Sequence, residues 1–280
     1  MRATSRAPGY NRAMEQRASD GPTYSSYLRL DTLLAQQHPL SGTHDEMLFI
    51  VIHQASELWM KLCLHELDAA REAVATDRLD LAFKMLARVA RIQTQLIQSW
   101  DVLATITPAD YSAMREGLGK SSGFQSHQYR LLEFIMGNKN AAMIDVHDGA
   151  PQFQHVLREA LARPSLYDEA LRAMARAGLP VPADRLERDF TQSYAASPEI
   201  EACWRAVYAD TERYWNLYEL AEKLVDLEYR IQLWRFGHLK TVERVIGFKR
   251  GTGGSAGVPY LAKVIDQVFF PELLTVRGTL

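Results

Sequence analysis

An all-α fold, a bundle of long helices with a smaller helical excursion, follows from three features of the sequence. Glycine and proline are absent from Thr43 to Thr107 and again from Glu199 to Phe236. Both stretches are rich in Leu, Ala, Glu, Arg and Gln, which are strong helix formers. No segment shows sustained strand alternation or an Asn-Gly hairpin signal.

Taken in order, residues 1–22 are rich in Arg, Ala and Ser with little to bury, and they are expected to form a mobile tail. A transit peptide is the alternative, against which Glu15 and Asp20 count. Residues 23–280 are expected to make one helical domain. Thr107-Pro108-Ala109-Asp110 supplies an N-cap, a first-turn proline and an early acid for a short helix. Residues 140–196 read as short helices broken by Gly149, Pro151, Pro164, Gly178, Pro180 and Pro182, an excursion attached to the bundle. Ser197-Pro198-Glu199 starts the second long helical stretch. Along it, Leu220, Leu224, Leu227, Ile231, Trp234, His238 and Val242 recur at three- and four-residue steps, one apolar stripe. A glycine-rich segment, Gly247 to Gly257, follows directly.

The 280 residues are 47 % hydrophobic and 24 % charged, and at this length roughly 75 % of the unfolded surface can be buried. A net charge of −2 leaves no basic excess to hold nucleic acid. Two cysteines, Cys63 and Cys203, are too few for a disulfide framework or a Cys-based zinc site, so a reducing cytoplasm fits best. The longest apolar run, Met47 to Ile52, is too short to span a bilayer, and no membrane association is expected.

Several generic signatures fail on context. Gly253-Gly254-Ser255-Ala256-Gly257 has the spacing of a nucleophile elbow, but a helix precedes it and no histidine follows. There is no Walker A sequence, no His-Glu-x-x-His, no Glu-x-x-His and no Cys-x-x-Cys-His. What remains is histidine on helices. His53 shares a face with Phe49 in an apolar turn, and His238 lies on the apolar stripe four residues after Trp234. On pattern alone each reads first as a core histidine with a hydrogen-bond partner. Two of them on two long helices are also what a bundle needs to grip a flat cofactor. Tyr111 and Arg115 share a helical face; Arg115 is either a surface arginine or a bidentate clamp for a carboxylate.

Three long motifs carry a resemblance: Phe49 to Leu62 (FIVIHQASELWMKL); Ser121 to Ser126 (SSGFQS) with Glu133 to Lys139 (EFIMGNK); and Leu233 to His238 (LWRFGH) leading to Val245 to Ser255 (VIGFKRGTGGS). In their order they resemble the tryptophan 2,3-dioxygenase family, from about Tyr24 to Leu274. The resemblance implies an all-helical homotetramer that holds ferrous haem b, one per subunit, between helices. It also implies insertion of O₂ across the C2–C3 bond of the indole of L-tryptophan to give N-formyl-L-kynurenine, the first step of the kynurenine pathway. By motif position it makes His238 the axial ligand of the haem iron and His53 the catalytic distal histidine facing the indole N–H. Arg115 would pair with the substrate carboxylate, and Thr252 would hold its amino-acid end as the glycine-rich loop closes. Phe49 and Tyr111 would wall the indole, and Ser122 would lie by the haem. Tyr24, Tyr27 and Leu28 match a segment that reaches a neighbouring subunit's pocket. Gly237 departs from good helix chemistry; it either lets the haem approach closely or occupies a variable position. Two other classes stay open to test, a non-catalytic haem or small-molecule sensor and a scaffolding bundle. An amino-acid clamp favours the enzyme.

Overall fold

A computed structural model describes residues 21–280, so the expected tail, residues 1–22, lies almost wholly outside the described residues. The described residues are helical without a strand. Two compact units divide the chain between Pro39 and Leu40. The described part of the first holds α1 (Tyr24–Leu28) and α2 (Leu30–Leu33). Thr23 and Ser26 close a reciprocal capping box at the start of α1.

The second unit begins with α3 (Asp45–Ala75) and α4 (Leu79–Leu103). The first glycine- and proline-free stretch is therefore two helices. They part at Asp77, which takes a left-handed φ of 58°, a conformation that Asp tolerates better than most side chains. Arg88 of α4 donates to Glu66 of α3 at 2.5 Å, twenty-two residues back across that turn, so the pair runs antiparallel. The second stretch also breaks, between α10 (Pro198–Ala209) and α11 (Trp215–Val245). Both expected caps form: Thr107 accepts from the Asp110 amide to start α5 (Pro108–Leu118), and Ser197 accepts from the Ile200 amide to start α10.

Helix α11 pairs with α4 in register. Gln93 meets Leu227, Arg230 donates to Thr94, and the rings of Trp100 and Trp234 lie 5.5 Å apart. Both series climb together, so α11 runs parallel to α4 and antiparallel to α3. The stripe read from the sequence divides along α11. Leu220, Leu224, Leu227 and Ile231 are buried in the main core against Leu86, Val89 and Ile92 of α4. Trp234, His238 and Val242 face a cavity at the far end. A second apolar cluster of Leu103, Ile106, Tyr111, Met114 and Val245 closes that end.

The excursion over residues 140–196 consists of two 3₁₀ turns, α7 (Pro151–Ala162), α8 (Leu166–Arg176) and α9 (Ala183–Leu186). It follows α6 (His127–Met136), and Phe134 of α6 is buried with Ile144, Leu157 and Leu161. The chain ends in α12 (Val258–Ile265) and α13 (Pro271–Thr275). Helix α3 is long and apolar enough to cross a membrane by length and composition, with a mean hydropathy of 1.3 over its best window. Its apolar residues face two ways. Met60, Cys63, Leu67 and Ala70 are buried in the core, while Met47, Val51, Leu58 and Leu62 form an exposed row.

Lys139 pins the excursion. It is 4 % exposed, and its Nζ donates to the carbonyls of Ala160, Leu161 and Arg163 at 2.7, 3.1 and 2.7 Å. Those carbonyls end α7 and have no partner within the helix. Lys139→Met keeps the apolar stem but strands them. Burial lowers the Lys139 pKa to about 7, so the expected cost is that of stranding buried acceptors, about 1–3 kcal/mol. Urea unfolding measures it, and a loss below about 0.5 kcal/mol would show that water replaces the Lys139 Nζ without penalty.

Candidate functional site

The cavity is walled by α3, α4, α5 and α11, by the loop before α6 and by the glycine-rich segment before α12. Of the residues singled out in the sequence, Phe49, His53, Tyr111, Ser122, His238 and Thr252 line it together. Arg115 stands behind this wall, its guanidinium 5.8 Å from the Tyr111 ring. Tyr24, Tyr27 and Leu28 belong to the N-terminal unit, where they are exposed.

His53 is oriented by its own helix. Its Nδ1 lies 2.7 Å from the Phe49 carbonyl oxygen one turn earlier, and the Phe49 ring tilts against it at 4.2 Å. A carbonyl only accepts, so Nδ1 carries the proton and Nε2 of the neutral ring is left as an acceptor. Burial lowers the pKa of His53; the Phe49 carbonyl and the nearby Glu57 carboxylate act in the opposite sense. The neutral acceptor form is therefore the resting form at neutral pH.

His238 is held differently. Its imidazole stacks on Trp100 at 4.7 Å with the planes 4° apart, and Trp234 tilts beside it at 5.9 Å. Burial pushes its pKa down to about 4, and His53 adds to the effect. An imidazole kept neutral has a lone pair to give. Gly237 finds its reason here: a Cβ at that position would meet Cδ1 of Trp100 at 2.7 Å. The close approach is to an indole of this chain.

The glycine-rich loop lies against the serine-rich loop before α6. Thr252 Oγ1 donates to the Ser121 carbonyl at 2.5 Å, and a Cβ at Gly253 would meet the Ser122 Cβ at 2.6 Å. Arg115 Nη2 donates to the Arg250 carbonyl at 2.8 Å, while its Nη1 is buried with no partner.

Sequence reading missed the charged floor of the cavity. Arg130 of α6 and Arg235 of α11 are each 3 % exposed and share one carboxylate, Glu133. Arg130 Nη1 donates to Glu133 Oε2 at 2.7 Å and Arg235 Nη2 to Glu133 Oε1 at 3.3 Å. Arg235 also donates to the Tyr129 hydroxyl and the Gln267 carbonyl. The buried Glu228 carboxylate also interacts with Arg235, and Glu57 lines the same cavity, so carboxylates balance the two guanidiniums, while Arg130 Nε has no partner. Buried charge of this kind is costly unless it is paired. Trp100 Nε1 is a second buried donor without a partner. The signal available in the sequence was position alone: Arg130 follows the serine-rich motif by four residues, and Arg235 sits one turn before His238.

Among the described residues no group of three or more His, Cys, Asp and Glu side chains is placed to hold a bare metal ion. The cavity offers instead two neutral imidazoles from antiparallel helices, apolar and aromatic walls, and buried cationic donors at its floor. These suit a flat, mostly apolar group with acidic edges and a metal that needs one protein ligand.

Comparison with known proteins agrees. The family model described as tryptophan 2,3-dioxygenase matches residues 9–280. A tryptophan 2,3-dioxygenase of Erythrobacter litoralis is 63 % identical over 255 residues, covering 91 % of this chain and 97 % of that protein. One from Cupriavidus necator is 60 % identical over 258 residues, covering 92 % and 88 %. One from Bacillus thuringiensis is 57 % identical over 258 residues, covering 92 % of each. With its motifs, its helices and its paired histidines in one cavity, the chain belongs to the tryptophan 2,3-dioxygenase family.

Proposed function

We propose that this chain is a haem-dependent dioxygenase that adds both atoms of O₂ across the C2–C3 bond of the indole of L-tryptophan and yields N-formyl-L-kynurenine. The observation that carries the reading is the meeting of His53 and His238, from α3 and α11, on one cavity in a chain of this family. His238 would ligate the iron through a nitrogen that burial keeps unprotonated. The carboxylates of haem b would suit the unpartnered donors of this cavity, Nε of Arg130 and the indole N–H of Trp100. When bound, the haem supplies the redox-active iron that lets O₂ react with a closed-shell indole.

The protein's own part is placement. Phe49 and Tyr111 would flank the indole, and His53 Nε2 would accept its N–H. The indole C3 is already electron-rich, so His53 orients the ring and need not remove a proton. Arg115 Nη1 is the free half of a guanidinium whose other half holds the Arg250 carbonyl. It would bind the substrate carboxylate, with Thr252 completing the amino-acid end. The loop that carries Thr252 closes the cavity and excludes water from it. Ser122 lines the cavity beneath that loop, where it would lie beside the haem. We read the family's homotetramer into this chain as well. The exposed row on α3 and the exposed Tyr24 and Tyr27 support burial against further copies, with the N-terminal segment reaching a neighbour's pocket. Buried free thiols at Cys63 and Cys203 support a cytoplasmic setting.

Reduced, haem-loaded protein given L-tryptophan and O₂ is expected to form N-formyl-L-kynurenine. His238→Ala is expected to retain its helices by circular dichroism while losing most haem and all activity. An unchanged Soret band and wild-type haem affinity in that variant would remove His238 from the ligand role.

The acid limb of kcat/KM is expected from His53. Only the neutral ring accepts the indole N–H, and burial has lowered the pKa from its ordinary 6.5. Activity should therefore hold as pH falls to 6.5 and drop only below it. His53→Ala should erase that limb and cost about 0.5–1.5 kcal/mol, roughly 2- to 13-fold, the worth of one hydrogen bond. Total inactivation with haem and substrate still bound would instead make proton transfer obligatory.

Arg115→Lys keeps a charge and loses the planar fork. It should raise KM for L-tryptophan by about 10- to 150-fold, the range for a lost charge-assisted hydrogen bond. Tryptamine has no carboxylate and should suffer much less. Equal losses in kcat/KM for the two substrates would show that Arg115 serves the pocket wall and not the carboxylate.

A further inference from the structure

We propose that Trp100 is a positioning residue for His238, whose imidazole plane is set by the face of the Trp100 indole rather than by a hydrogen bond. This rests on the reading of His238 as the axial ligand.

A ligand histidine is attached through a soft sp³–sp² torsion, so its ring turns easily unless something outside the ring stops it. The usual restraint is a hydrogen bond from the second ring nitrogen to a carboxylate or carbonyl. His53 has such a restraint in the Phe49 carbonyl. His238 has no hydrogen-bond partner at either ring nitrogen among the described residues. What it has is a parallel stack, with centroids 4.7 Å apart and planes 4° apart, on a side chain from a different helix.

Two further contacts fix the indole that does the holding. Trp100 lies on α4, which runs parallel to α11 at this level, so the two rings meet side by side. Gly237 removes the one Cβ that would strike the indole, at 2.7 Å from Cδ1, and lets Trp100 lie against bare helix backbone beside His238. Trp234, one turn before His238, packs on the indole at 5.5 Å and on the imidazole at 5.9 Å, and it is itself backed by Tyr129 at 5.2 Å. The imidazole thus packs against two mutually touching indoles, one parallel to it and one tilted. Rotating it would break the stack on Trp100 and drive an edge toward Trp234.

The ring face and the ring N–H of Trp100 are separable by substitution. Trp100→Phe keeps an aromatic face and drops the N–H. Trp100→Leu drops both and fills much of the space. In haem-loaded ferrous protein, the iron–histidine stretching band in resonance Raman reports ring orientation and bond strength directly. The band should broaden and shift in Trp100→Leu and stay at the wild-type position in Trp100→Phe. Haem transfer to apomyoglobin should be on the order of tenfold faster from the Leu variant than from the Phe variant, which lacks the N–H as well, the lower end of what loss of an orienting partner costs a metal site. A wild-type band and transfer rate in Trp100→Leu would overturn the proposal. So would a Phe variant with a displaced band, because the N–H and not the face would then be the active feature. That second arm stands even if the Leu variant does not fold. A wild-type chain that takes up no haem overturns the haem reading itself, which is a different failure from either of these.

Discussion

The parallel seating of α11 on α4, with α3 antiparallel to both, is what the cavity depends on. Each of these helices is long enough to serve two purposes along its length. One part is buried in a continuous apolar core, and the other extends past the core to form the cavity wall. On α11 the change comes between Ile231 and Trp234, and on α4 between Leu96 and Ser99. The core fixes the helices against sliding, because a shift by one turn would take Leu220, Leu224 and Leu227 out of their sites together. His238, two turns beyond Ile231, and Trp100, one turn beyond Leu96, inherit that register. The precision of the site is thus supplied by packing some distance away from it.

Charge is handled in two opposite ways inside one cavity. The imidazoles are kept neutral by burial, which lowers the pKa of both His53 and His238. The guanidiniums cannot be neutralised, so Arg130 and Arg235 are kept charged against buried carboxylates, Glu133 bonded to both and Glu228 near Arg235. Arg130 also lies over the rings of Phe124 and Tyr129, at 4.9 and 5.1 Å, which offsets part of the cost of burying it. The charged floor and the neutral wall are about as far apart in chemistry as one pocket allows. A ligand with an apolar body and acidic edges matches both.

Much of this was legible in the sequence where the signal is local. Glycine- and proline-free stretches mark the helices, Thr107 and Ser197 mark two of their starts, and the stripe through His238 marks the face. The helix breaks were harder. Asp77 ends α3 with a left-handed residue, and α10 gives way to α11 near Asp210, yet neither break contains the glycine or proline that usually announces one. The floor of the cavity was hardest. Arg130, Glu133 and Arg235 lie up to 105 residues apart in the chain, and nothing local says that two arginines will share one carboxylate. Gly237 illustrates the same limit. As a mid-helix glycine it is an anomaly in the sequence, and only the position of Trp100, on another helix, accounts for it.

The loop over the cavity shows how the two kinds of information combine. Its glycines suggest a segment that must change shape, and the structure shows what that shape has to fit. Gly253 lets the loop backbone approach Ser122 more closely than any Cβ allows, and the Thr252 hydroxyl spends its proton on the Ser121 carbonyl. In the proposed role Thr252 would therefore meet a substrate through its remaining lone pairs, as an acceptor, which suits an ammonium better than a carboxylate. Arg115 has the complementary preference. With Nη2 committed to the Arg250 carbonyl and Nη1 free, it can add a carboxylate without giving up the loop. On the proposed assignment the two ends of an amino acid would be sorted by hydrogen-bond arithmetic: the anion to the guanidinium, the cation to the hydroxyl. A substrate bound by both groups in this way would add a second tie between the loop and α5 beside the Arg115–Arg250 bond, so that recognition of the amino-acid end and closure of the cavity would become one event.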